Sequence, residues 1–195
     1  MDYTKIANDS VIEKVIESLK ARNIHAVVVD TKEDALLEIK KLITNGASVM
    51  NGSSTTLNEI GFVDYLKEGK HGWDNVHADI LNEKDKAKQA RLRKESVLAD
   101  YFLGSVHAIT EAGQLMIASA SGSQIPSYAF TSDNVIWVAS ANKIVPDREA
   151  GFKRIEDYVF PLENKRMQGV GYPGRTIARV LIIELEIMPN RHLTL

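Results

Sequence analysis

The chain has 195 residues, with 24 Lys and Arg against 26 Asp and Glu, a formal net charge of −2, and 44% hydrophobic residues. A chain of this length buries roughly 70% of its unfolded surface without disulfide or metal staples. The absence of cysteine excludes a disulfide framework, a thiolate zinc site, a Cys-ligated iron–sulfur cluster and a cysteine nucleophile in this polypeptide. The pI near 6.2 argues against a nucleic-acid binder, whose footprint is strongly basic. Apolar runs such as Val27–Val29 and Val180–Ile183 fall far short of the roughly 18 residues of a membrane span. The polar start Met1–Lys5 does not read as a signal peptide. The expectation is a cytoplasmic protein with no nucleic acid and no membrane span.

Val11, Ile12, Val15, Ile16 and Leu19 recur at helical spacing opposite Glu13, Lys14 and Glu17, which predicts an amphipathic helix over Ser10–Leu19. Ile24–Val29 is β-rich. Thr31 then reads as the N-cap of a helix through about Leu42, stopped by Asn45-Gly46. Ala47–Met50 reads as a short buried strand, and a third helix is expected near Leu57–Leu66. This alternation implies parallel strands with helical crossovers. The charge-dense block Asn82–Asp100 interleaves Lys84, Lys86, Lys88, Arg91, Arg93 and Lys94 with Glu83, Asp85 and Glu95, the pattern of a solvated helix.

Further on, Val106–Thr110 and Gln114–Ser119 read as strands across the turn Glu111-Ala112-Gly113, and Val135–Ala139 as another. A helix is expected from Arg148 to Tyr158, capped by Asp147 and with Pro161 beyond its end. Arg179–Ile187 supplies a further strand, and His192–Leu195 begins one more. The fold class is therefore α/β: a Rossmann-like, mostly parallel sheet with helices on both faces and an antiparallel extension in the second half. No linker or repeat divides residues 1–195, so a single domain is expected.

Three segments carry the chemistry. Met50–Leu57 runs from a strand end through a hydroxyl-rich turn into a helix. There Gly52, Ser53, Ser54 and Thr55 can hold a phosphate or carboxylate on unpaired backbone N–H groups and hydroxyls, or a serine can simply cap the helix. The carboxyl end of a parallel strand is where open α/β sheets bind ligands, which favours the first reading. Glu111 can serve as general base or nucleophile, or be a solvated turn residue. His107, within a strand, fits packing better than catalysis. Asn142 and Lys143 follow another strand, and Lys143 offers a positive charge for an anion or is a plain surface lysine. Ser121-Gly122-Ser123 can add backbone donors but reads better as a plain flexible loop, and Arg175 in the turn Tyr172–Arg175 is a candidate to reach a carboxylate. No cluster has metal-ligand spacing, so no metal or other cofactor is expected.

Taken together, Asn51–Thr56, Ala108–Gly113, Asn142–Val145 and Pro161–Arg166 resemble the LUD-domain family of lactate-utilisation proteins over nearly the whole chain. The resemblance implies a fold similar to ribose-5-phosphate isomerase, glucosamine-6-phosphate deaminase and the CoA transferases. In those proteins a Gly/Ser/Thr turn commonly holds an anion and an acidic residue often does the chemistry, here Ser53, Ser54, Thr55 and Glu111. It also implies oxidation of lactate to pyruvate alongside separate iron–sulfur partner proteins, with a small anionic metabolite as ligand. Two departures stand out: Ala112 and Gln114 replace threonines frequent around the glycine, and the cysteine-rich segment of some relatives is the cysteine-free Met167–Arg175. The alternative is a stand-alone isomerase, deaminase or CoA-transferase-like enzyme using Glu111.

Overall fold

A computed structural model describes residues 1–172, 174 and 176–195. The first half contains α1 (Asp9–Lys20), β1 (Ile24–His25), α2 (Lys32–Leu42), β2 (Ser48–Asn51), α3 (Thr55–Glu59), α4 (Phe62–Glu68), β3 (Asp74–Asn75), α5 (Val76–Asn82) and α6 (Lys86–Glu95). The second contains β4 (Tyr101–Gly104), β5 (Ala108–Thr110), β6 (Leu115–Ser119), β7 (Asn134–Trp137), β8 (Ile144–Val145), α7 (Arg148–Arg154), α8 (Phe160–Gly169), β9 (Arg179–Ile183) and β10 (His192–Thr194).

Local chemistry sets the helix starts. The side chains of Asn8, Thr31 and Asp147 accept the N–H groups of Val11, Asp34 and Ala150, each pairing a donor that the first turn leaves open. Two expected helices differ from the structure. The stretch Leu57–Leu66 is broken into α3 and α4 by Gly61, whose φ of 76° lies in the left-handed region that a continuing helix cannot use. Pro161 does not lie beyond a helix end: a π-helical segment, Ile155–Val159, joins α7 to α8, and Pro161 sits in the first turn of α8. The wider π turn re-phases the hydrogen-bond ladder, so the missing N–H of proline falls where it is tolerated.

The described residues group into two compact units. The first comprises Met1–Ala26, Val106–Ile125 and Ala139–Ile187, the second Val27–Ser105, Pro126–Val138 and Met188–Leu195. In the second unit the strands follow the order β10-β7-β4-β2-β3, and every pairing is parallel. Register aligns Asn51 with Leu103 and Gly104 with Trp137, so the carboxyl ends of β2, β4 and β7 lie at one edge. Val49, Leu57, Phe62, Leu66, Leu103 and Ile136 form the core of this unit with Ile39 and Ile43 of the α2 region. Full burial of each such side chain stabilises by about 1.5–3 kcal/mol.

The first unit holds the sheet β8-β5-β6-β9, parallel between β8 and β5 and antiparallel elsewhere, which is the expected antiparallel extension. Ala108, Met116, Val145 and Ile155 are its buried centre. Helix α7 lies close over this sheet because position 151 has no side chain: a Cβ there would meet the Met116 sulfur at 2.3 Å.

Candidate functional site

The turn after β2 belongs to the second unit. Asn51 and Gly52 are buried, and the Gly52 N–H donates to the Leu103 carbonyl at 2.9 Å, continuing the β2–β4 ladder. Ser54 Oγ accepts the Leu57 N–H at 3.2 Å, so this serine caps α3, a helix of five residues. Ser53 and Thr55 are exposed. Beside this turn stands a residue that the sequence pattern did not single out, His77 of α5. Asn51 Nδ2 donates to the Gly52 carbonyl, which leaves Asn51 Oδ1 to accept from His77 Nδ1 at 3.0 Å. With Nδ1 carrying the proton, the neutral ring presents Nε2 as an acceptor. Burial, then the nearby positive charges of Arg93 and Lys67, push the His77 pKa below its usual value. A lone histidine in Asn75-Val76-His77 gives no motif by which to find it.

Glu111, Asn142 and Lys143 belong to the first unit, together with His107. Glu111 leaves the end of β5 with its N–H bonded to the Val145 carbonyl and its own carbonyl accepting from Ser18 Oγ, both at 2.9 Å. Its carboxylate pairs with Lys14 Nζ of α1 at 2.7 Å. The turn it opens depends on Gly113, where φ is 82° and a Cβ would lie 2.7 Å from the Ser18 carbonyl carbon. Across the β5–β8 pairing, Lys143 ends a 3-10 turn, Ala141–Lys143. Its ammonium donates to the Val106 carbonyl at 2.9 Å. Asn142 Oδ1 is buried and has no hydrogen-bond partner among the described residues.

His107 lies between these elements. Its Nδ1 accepts the Ala118 N–H at 3.0 Å, which places the ring proton on Nε2. Burial, reinforced by the positive charges of Lys143 and Arg154, depresses its pKa to about 4, so at neutral pH the imidazole is uncharged and acts as a donor through Nε2. Arg154 of α7 donates from Nη1 to the His107 carbonyl at 2.7 Å. Charged residues in helices are usually solvated, yet Arg154 is 2% exposed. The sequence signal was its position: it lies three residues after Gly151 and directly before Ile155, which with it are the buried positions of this stretch.

The hydroxyls of Ser121 and Ser123 bond to each other at 3.1 Å, and the Gly122 N–H is taken by Ser119 Oγ. Arg175 lies outside the described residues. Among the described residues no group of three His, Cys, Asp or Glu is placed to hold a metal ion, and no helix is long and apolar enough to cross a membrane.

A parallel sheet with polar groups at its strand ends, accompanied by a mixed sheet with its own charged cluster, defines an α/β protein. The chain belongs to the LUD-domain family, whose domain matches residues 12–174. No curated protein matches it. Among solved structures it is similar to a chain in the crystal structure of the tetrameric eIF2B β2δ2 complex from C. thermophilum, with 15% sequence identity and a TM-score of 0.35. That match covers 72% of this chain and 48% of the other.

Proposed function

We propose that this LUD-domain protein acts in lactate utilisation in the cytoplasm. It binds a small anionic metabolite while separate iron–sulfur proteins carry the electrons released as lactate becomes pyruvate. The observation that carries this reading is the LUD domain spanning residues 12–174. The sequence supports the division of labour, because a chain without cysteine cannot ligate a cluster through its own thiolates. In the second unit Ser53 and Thr55, exposed beside Gly52 and Ser54, are proposed anion contacts, and in the first unit Asn142 and Lys143 are proposed as a separate set. Glu111 is the residue for any proton transfer, with Lys14 as its counter-charge.

Deletion of the gene is expected to impair growth on lactate as sole carbon source and to spare growth on glucose, with rescue by the intact gene. Unimpaired growth on lactate would overturn the reading. The competing enzyme reading is tested by assaying purified protein on sugar phosphates, amino-sugar phosphates and CoA esters. Turnover there that falls at least about 100-fold in Glu111→Gln, the usual scale of general acid–base assistance, would replace the lactate role with a stand-alone enzyme.

A further inference from the structure

Among the described residues two arginines are buried, and they are treated differently. Arg191 in the second unit donates to main-chain carbonyls from all three guanidinium nitrogens: Nε to Ser132, Nη1 to Ala129, and Nη2 to Ser127 and Tyr128. Its donors are consumed by the fold. Among the described residues Arg154 in the first unit makes one such bond, Nη1 to the His107 carbonyl, while its Nε is buried without a partner there. Among the described residues no carboxylate lies within ion-pair distance of it. The faces of Tyr158 and Tyr3, with centroids 5.2 and 5.8 Å from the guanidinium carbon, offset part of its charge. They do not accept its in-plane N–H groups. A buried cation is normally paired, because an unmatched one is costly.

Around His107 the positive charges of Lys143 and Arg154 outweigh the Glu163 carboxylate. Lys143 and Arg154 hold consecutive carbonyls, those of Val106 and His107. The His107 ring carries its N–H at Nε2, because Nδ1 is taken by the Ala118 N–H, and the residue keeps some exposure to solvent. A guanidinium fork matches a carboxylate, and a neutral imidazole N–H matches an uncharged oxygen next to it. We propose that Arg154, His107 and Lys143 form a binding site for a small 2-oxo or 2-hydroxy carboxylate. Arg154 takes the carboxylate, His107 Nε2–H takes the 2-oxygen, and Lys143 adds charge. The choice of acid rests on the lactate-utilisation reading, and the site itself rests on the unmatched guanidinium.

The test is titration of the intact, 15N-histidine-labelled protein with pyruvate, lactate, acetate and inorganic phosphate, read at the His107 imidazole resonances. Pyruvate or lactate is expected to shift the Nε2–H signal saturably and more tightly than acetate. Arg154→Gln is expected to weaken that binding at least about tenfold, the scale of one lost charged hydrogen bond. No saturable shift with pyruvate or lactate, tighter binding of phosphate, or undiminished binding in Arg154→Gln would each overturn the proposal. Where Arg154→Gln does not fold, Lys143→Met decides: weakened pyruvate binding supports the site and unchanged binding overturns it. Growth on lactate is scored separately. A deletion strain that grows normally, with saturable binding at His107 intact, refutes the pathway reading and leaves the site standing.

Discussion

Acidification should destabilise this protein through His107 in a way that one substitution can isolate. An unfolded histidine takes up its proton near pH 6.5, whereas folded His107 does so only near pH 4. Between these values the unfolded chain holds more protons, so stability falls as pH falls, and the loss is complete by about pH 4. At about 1.4 kcal/mol per pH unit the gap corresponds to about 3 kcal/mol, reduced to about 2 kcal/mol for the part of the ring that meets solvent. The cause is physical: protonation would charge a mostly buried ring beside Lys143 and Arg154, against which the Glu163 carboxylate is a weaker, favourable influence. It would also oppose an N–H to the Ala118 N–H. In His107→Asn the amide oxygen takes the place of Nδ1 as acceptor and nothing titrates there. Urea denaturation of both proteins at half-unit steps from pH 7 to pH 4 gives the difference, which cancels titrations elsewhere. The wild type should lose about 2 kcal/mol more than the variant across that window. Parallel curves would refute the argument.

Gly113→Ala should cost more than about 3 kcal/mol by urea denaturation, because left-handed strain adds to a backbone clash at Ser18. Gly46→Ala, with φ of 81° and open space around it, should cost only about 1–2 kcal/mol. Ser54→Ala should lower stability by about 1 kcal/mol through loss of the cap on Leu57, while Thr55→Ala alone leaves the melting temperature nearly unchanged. If the turn binds an anion, the double variant loses affinity for phosphate or pyruvate in calorimetry. Glu111→Gln should cost less than about 1 kcal/mol, since the Lys14 side chain it pairs with is 62% exposed. A larger loss in thermal denaturation would show that the pair is structural.

Local rules made much of the fold legible. Asn8, Thr31 and Asp147 cap helices as their positions imply, and Glu111-Ala112-Gly113 turns β5 into antiparallel β6. These features depend on residues within a few positions of one another, so spacing and side-chain chemistry suffice. Strand β4 was not legible. Tyr101–Gly104 is four buried residues after a charged helix, and a run that short has no periodicity to mark it. Its place between β2 and β7 is what makes the sheet parallel around Asn51.

For the candidate site, the sequence by itself determined which residue types were available: hydroxyls after β2, a carboxylate after β5, and a lysine before β8. Tertiary structure decided how they are used. It spends Ser54 on a cap and the Gly52 N–H on the sheet, gives Glu111 a lysine partner, and sets Asn51 against His77. It also buries Arg154 on the carbonyl of His107, 47 residues away in sequence. Whether a charge is solvated or desolvated depends on what packs over it, and no local pattern carries that information.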